Sequence, residues 1–239
     1  MRVAVVQFPG SNADWDALQA LQDGLGADAF PVFHRESELG AGLDAVVLPG
    51  GFAHGDYLRP GAIAALSPIA PAIRRFAEGG GPVLGICNGF QVLTELRLLP
   101  GALTRNDTLR FQCRDVHVRV EGSTPLLAHL SAGTVLRLPI AHADGRYQCA
   151  PDVLRELEAE GRVVLRYCTQ DGERHPGANP NGSVSDVAGI VGGPKRNVLG
   201  LMPHPERAAD ALLGNDAGLA VLRGLEGPDG TGGASGAAA

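Results

Sequence analysis

The stretch Pro82-Val83-Leu84-Gly85-Ile86-Cys87-Asn88-Gly89-Phe90-Gln91 limits what this chain can fold into more than any other. A short apolar run, Pro82 to Ile86, leads directly into a cysteine that has glycine two residues to either side. A segment with helical character follows, from Phe90 to Leu96. Strand, sharp turn, reactive side chain and helix, in that order, is the geometry of a nucleophile elbow, here with sulfur in place of a serine hydroxyl. The glycines matter because the turn is tight and the two backbones must approach closely. Such a turn places Cys87 at a helix N-terminus, where unsatisfied amides and the macrodipole favour a thiolate. Cys113, Cys149 and Cys168 have no comparable frame and read as small packed hydrophobes.

Around this elbow the first hundred residues alternate apolar runs with helical patterns. Strands are expected at 1–8, 29–34, 44–48 and 82–87. Helices are expected at 13–23, with Trp15, Leu18 and Leu21 on one face and Gly24 just beyond, and at 71–78. This βαβ rhythm predicts an α/β fold, a doubly wound and mostly parallel sheet with helices on both faces. Ligands in such sheets sit at the carboxyl ends of the strands. Further on, Val116, Val118 and Val120 alternate with polar residues, as in a strand with one wet face, and 135–140 and 163–168 read as further strands, giving a small antiparallel extension. A short exposed helix is expected at 152–160, loop or hairpin at 179–193, a buried strand at 198–202 and a last helix at 215–225. One domain over 1–226 and a disordered Gly/Ala-rich tail over 227–239 account for the whole chain.

Composition removes several function classes. A formal net charge of -6, with no basic run, argues against a nucleic-acid partner. No apolar stretch approaches a membrane span or a signal peptide, and the four cysteines show no CxxC or zinc spacing, so a cytoplasmic protein with reduced thiols and no metal site is expected. The chain has no Walker A loop and no complete GxGxxG, so no cofactor is expected on it.

A cysteine nucleophile needs a base, a group that orients the base, and donors for an oxyanion. Met202-Pro203-His204-Pro205-Glu206 follows the last buried strand and supplies the first two. Residues before proline favour extended backbone, and side chains two apart on an extended segment point the same way, so Glu206 is expected beside His204. The amide of Asn88, just after the nucleophile, is one oxyanion donor. Pro49-Gly50-Gly51-Phe52, at another strand end, offers the second through Gly51 or Phe52. His142, also at a strand end, is a candidate for the rim of the pocket.

The set Pro-Gly-Gly-Phe (49–52), Gly-Ile-Cys-Asn-Gly-Phe-Gln (85–91) and Pro-His-Pro-Glu (203–206), in that order, resembles the class I glutamine amidotransferases. The stretches Phe8-Pro9-Gly10-Ser11-Asn12, Gly55-Asp56-Tyr57-Leu58-Arg59 and Asn179-Pro180-Asn181-Gly182-Ser183 resemble the branch of that family that serves purine biosynthesis. The resemblance covers residues 1 to about 225. It implies a glutaminase in which Cys87, His204 and Glu206 are catalytic, and in which Gln91 and the Gly145-Arg146 backbone hold L-glutamine. It further implies that ammonia passes to a large synthetase subunit using ATP, magnesium and formylglycinamide ribonucleotide, with a small third subunit bridging the two. The exposed loop 53–61 and the stretch 179–186 are candidate contact surfaces. Two other readings remain: a class I amidotransferase for a different acceptor, and a hydrolase of the DJ-1/intracellular-protease type, some of which place a histidine immediately after the elbow cysteine, where this chain has Asn88.

Overall fold

The computed structural model describes residues 1–227; the expected tail lies, from residue 228 on, outside the described residues. The chain opens with β1 (Arg2–Gln7), α1 (Asp14–Leu25), β2 (Asp28–Phe33), β3 (Ala45–Leu48), α2 (Ala70–Glu78), β4 (Val83–Ile86) and α3 (Asn88–Glu95). Val3 to Val6 and Ala45 to Leu48 are fully buried, as expected of strands covered on both faces. From β1 the chain crosses to β2 on one side, and from β3 it crosses to β4 on the other. Right-handed crossovers in opposite directions put α1 and α2 on opposite faces of the sheet.

The remaining elements are β5 (Ala102–Thr104), β6 (Gln112–Val120), β7 (Val135–His142), β8 (Arg146–Gln148), α4 (Pro151–Ala159), β9 (Val163–Cys168), β10 (Val187–Gly192), β11 (Val198–Leu201) and a short α5 (Leu219–Leu222). The large sheet runs β2-β1-β3-β4-β11-β10-β9-β6-β7, and β5 pairs with β8 in a separate antiparallel pair. Strands β2, β1, β3, β4 and β11 are parallel; from β10 onward every pairing is antiparallel. The antiparallel extension therefore continues the main sheet. In the pairing order β7 lies four strands beyond β11. At about 4.8 Å per strand a flat sheet would hold them far apart. Yet the His204 amide, just past β11, donates to the carbonyl of Pro139 in β7 at 2.8 Å, so the sheet twists and curls back over the ends of its own parallel strands.

Local details differ from the sequence expectation for clear reasons. Trp15 is 67% exposed, because the buried stripe of α1 runs through Ala17, Leu18 and Leu21. The helix continues through Gly24, which packs on Leu219, and stops at Gly26 in the left-handed region, φ 63°. The stretch 179–193 is a hairpin arm, and its second half is the fully buried β10. The last helix is a single α-turn followed by a 3₁₀ turn, Arg223–Glu226. Cys113 is exposed and Cys149 half-buried; of the three set aside, only Cys168 is a packed core residue.

Candidate active site

The ends of β3, β4 and β11, adjacent in the sheet, meet at one level: Leu48 pairs with Gly85 and Leu201 with Ile86. Cys87 stands between them with φ 51° and ψ -104°, as the N-cap of α3. That backbone conformation costs on the order of 1–3 kcal/mol and persists only where its surroundings enforce it. Here the Cys87 amide donates to Leu201 at 2.8 Å. The flanking glycines do the rest. A Cβ on Gly89 would lie 2.0 Å from the Leu48 carbonyl oxygen, and one on Gly85 would lie 2.8 Å from the Gly89 carbonyl. The start of α3 is thus pressed onto β3 and β4 at distances that only glycine allows.

Cys87 is 4% exposed, but its sulfur does not face hydrocarbon alone: the Ala141 carbonyl lies 3.9 Å from Sγ. His204 is 1% exposed, and its Nδ1 is 2.5 Å from Glu206 Oε1. Glu206 reaches it in a different way from the one expected. Pro205–Arg207 forms a 3₁₀ turn rather than extended chain, and the turn brings the carboxylate back to the ring. The imidazole packs closely against Gly50, where a Cβ would sit 2.5 Å from His204 Cε1. Its Nε2 is buried with no hydrogen-bond partner. Burial works to lower the His204 pKa, but the charges of Glu206 and Cys87 outweigh it and raise it from 6.5 to about 10. A protonated imidazole beside Glu206 and Cys87 is the state this arrangement favours.

The two amides expected as an oxyanion donor at the end of β3 differ in their partners. The Phe52 amide donates to Gly10 at 2.9 Å and is spent, whereas the Gly51 amide has no acceptor among the described residues. Asn88 occupies the first helical position, where the N–H has no acceptor within the helix. Gly51 and Asn88 are therefore the free pair. The side chain of Asn88 is held from three sides: its Oδ1 accepts from Ala53 N at 3.2 Å, and its Nδ2 donates to Gln91 Oε1 at 2.8 Å and to Asp56 Oδ1 at 3.4 Å. Gln91 in turn donates to the Asp144 carbonyl at 2.7 Å.

Gly145 and Arg146, whose backbone the resemblance assigns to glutamine, lie in a dense network of hydrogen bonds. The Gly145 amide donates to Asn106 Oδ1 at 3.0 Å and its carbonyl accepts from Asn181 Nδ2 at 2.9 Å. The Arg146 guanidinium is tied to the Gly182 carbonyl at 2.9 Å. His142 is no rim residue. It is 2% exposed, with Nδ1 3.1 Å from Asn106 Oδ1, and burial together with the nearby His204 charge lowers its pKa to about 4, so it is neutral. Asn106, His142 and Asn181 form a buried polar brace under the Ala141–Gly145 loop. Asn106 went unread in the sequence, because a single Asn before Asp looks like a turn. Asn181 was visible only as part of a resemblance. The brace also changes the reading of 179–186, whose Asn181 and Ser183 are buried and turned inward. The loop 53–61 does face outward, with Tyr57 75% and Leu58 82% exposed.

Residues 1–218 match the CobB/CobQ-like glutamine amidotransferase domain. The chain is 54% identical over 223 residues to the phosphoribosylformylglycinamidine synthase subunit PurQ of Thermomicrobium roseum, covering 93% of this chain and 94% of that protein. It is 55% identical over 226 residues to the subunit of the same name from Thermus thermophilus, covering 94% and 97%. Among solved structures it is similar to a chain of PurLQS from Thermotoga maritima, with a TM-score of 0.81 and 41% identity over 94% of this chain and 96% of that one. A further glutamine amidotransferase from Thermotoga maritima, at 16% identity and a TM-score of 0.59 over 94% of this chain and 96% of that one, shares the fold.

Proposed function

We propose, from the premise that this chain belongs to the CobB/CobQ-like glutamine amidotransferase family, that its Cys87, His204 and Glu206 carry out the glutaminase half-reaction of phosphoribosylformylglycinamidine synthase in purine biosynthesis. The chain is an enzyme subunit of that complex: it hydrolyses L-glutamine to glutamate and ammonia and works with a synthetase subunit. The observation that carries the chemistry is the buried Nε2 of His204 beside Cys87, taken by no other group, with Nδ1 fixed by Glu206.

The reaction follows from the placement of the groups. The Cys87 sulfur, its proton held by His204, attacks the carboxamide carbon of glutamine; a C–S bond forms and the carbonyl electron pair moves to oxygen. The Gly51 and Asn88 amides face that oxyanion, and such donors are worth about 2.7–4 kcal/mol each. His204, already protonated, gives its Nε2 proton to the departing nitrogen, and ammonia leaves a glutamyl thioester. Neutral His204 then takes a proton from water, the hydroxide adds to the thioester, the C–S bond breaks and glutamate departs. Glu206 holds the ring in one tautomer and stabilises its charge throughout.

In this reading ATP, magnesium and formylglycinamide ribonucleotide belong to the synthetase, a small third subunit bridges the two, and the complex works in the cytoplasm. No described helix is long and apolar enough to cross a membrane. The outward-facing Tyr57 and Leu58 mark the loop 53–61 as a contact surface, and the isolated chain is slow until docked. The test is reconstitution with the synthetase and the small subunit, using glutamine labelled with ¹⁵N in the side-chain amide. The label is expected in the amidine product, with glutamine turnover faster in the complex than in the chain alone. Product formed without label transfer would refute the proposal.

A further inference from the structure

Two side-chain amides lie in the first turn of α3, just after the nucleophile: Asn88 is 1% and Gln91 5% exposed. A primary amide can be turned end for end, so its partners decide which end donates. Here two backbone groups settle both. The Ala53 N–H can only donate, and it meets Asn88 Oδ1 at 3.2 Å. The Asp144 carbonyl can only accept, and Gln91 Nε2 meets it at 2.7 Å. Gln91 Oε1 therefore faces Asn88, whose Nδ2 donates to it at 2.8 Å, with a longer contact of 3.4 Å to Asp56. The three short bonds run in one direction, from the loop after β3, across the start of α3, to the loop after β7. Bonds aligned in this way polarise and strengthen one another.

Ala53 stands two residues after Gly51. On either side of it, the Phe52 amide donates to Gly10 at 2.9 Å and the His54 amide to Pro9 at 2.6 Å, and both bonds hold this stretch to the loop after β1. Gly51 itself has φ 141°, and a Cβ there would lie 2.7 Å from Asn12 N and 2.8 Å from the Gly10 carbonyl oxygen. The stretch is thus seated on residues 10–12 as closely as backbone permits. The Ala53 amide is bonded the other way, to α3. Its acceptor belongs to the residue whose own backbone amide accompanies Gly51 as an oxyanion donor. Asn88 therefore carries one donor on its backbone and holds the strand of the other with its side chain.

We propose, resting on the glutaminase reading above, that the Asn88 side chain is a positioning group: it fixes the separation of the Gly51 and Asn88 amides so that both reach one oxyanion. A hydrogen bond weakens steeply as its distance and angle depart from the ideal. Stabilisation of an oxyanion needs its donors in place before the charge develops. An apolar side chain at position 88 leaves that residue's own amide at the helix start but releases Ala53, and with it the Gly51 donor. A reaction of the same sulfur that forms no oxyanion does not depend on this spacing.

The test uses the assembled complex and the variant Asn88→Ala. Its kcat for glutamine is expected to fall roughly 10- to 100-fold, short of the ~10²- to 10³-fold cost of deleting an oxyanion donor outright. Glutamine binding, measured by calorimetry in a Cys87→Ala background with and without Asn88→Ala, is expected to change by no more than a few-fold. Alkylation of Cys87 by iodoacetamide, in which sulfur displaces iodide at a saturated carbon, is expected to keep its rate. An unchanged kcat, or binding and alkylation that fall in step with kcat, would overturn the inference and leave the glutaminase reading intact. The wild type supplies a check that needs no variant: the Ala53 amide is expected to exchange with deuterium roughly 100-fold more slowly than the amide of exposed Tyr57 in the same loop. Equal exchange rates would overturn the inference as well. A wild-type complex that hydrolyses no glutamine would overturn both readings.

Discussion

The parallel strands β3, β4 and β11 each lead into a group of the proposed site: the unpartnered amide of Gly51, the sulfur of Cys87 and the ring of His204. The curled-back strand β7 contributes backbone instead, the Pro139 carbonyl to the His204 amide and the Ala141 carbonyl near the sulfur. Its loop is then stiffened from below by Asn106, His142 and Asn181. In the proposed reaction the first region supplies the reacting groups and the second fixes where they point. The two should therefore fail differently when altered.

The sharpest separation comes from the reacting groups. Cys87→Ala is expected to reduce glutamine-dependent synthesis in the complex by ~10⁴-fold or more, while synthesis from added ammonium survives. Loss of both would make Cys87 a structural residue and erase the distinction. His204→Ala is expected to approach the same loss. Glu206→Gln is expected to be roughly 10- to 100-fold milder than His204→Ala, since an orienting carboxylate is the most dispensable of such a set. Steady-state rates on the purified complex measure both.

Next comes the packing that brings the strand ends together. Gly89→Ala puts a methyl 2.0 Å from a backbone oxygen that has no rotamer to escape into. The intrinsic helix preference for alanine, about 1 kcal/mol, does not offset that overlap. A net loss of about 3 kcal/mol in urea unfolding is expected. Unchanged stability would mean that α3 is free to slide off β3, contrary to the close contact described.

The smallest effect is expected in the brace. Asn106→Ala leaves the Gly145 amide and the His142 ring without a buried acceptor, at a cost of about 1–3 kcal/mol. Because no reacting group is removed, the KM for glutamine is expected to rise a few-fold while kcat holds. A fall in kcat as large as that of Glu206→Gln would move Asn106 out of the supporting region and into the chemistry.

This division also explains what the sequence made legible. Gly85, Cys87 and Gly89 are read locally, because an elbow needs small residues at fixed offsets from its nucleophile. His204 and Glu206 are read through the prolines around them, although the contact arises from a 3₁₀ turn and not from extended chain. The choice of Gly51 over Phe52 was not legible, since it depends on Gly10, distant in sequence, taking the Phe52 amide. The role of β7 was not legible either. Carbonyl groups carry no residue signature, and the curl that brings Pro139 and Ala141 to the site belongs to the whole sheet. Trp15 misled for a simpler reason: a large aromatic at helical spacing suggests a buried face, yet the stripe is completed by small alanines instead.

The claim beneath all of this is that sulfur, imidazole and carboxylate form one electrostatic unit. The most direct test is an NMR titration of the His204 imidazole in ¹⁵N-histidine-labelled protein, in the wild type and in Glu206→Gln. Burial alone lowers a histidine pKa, so a raised value requires the neighbouring negative charges. The wild-type ring is expected to stay protonated through neutral pH and titrate near 10, and to titrate well below that once Glu206 is neutral. A ring that titrates at 6.5 or lower in the wild type, or at the same pH in both proteins, would contradict the account.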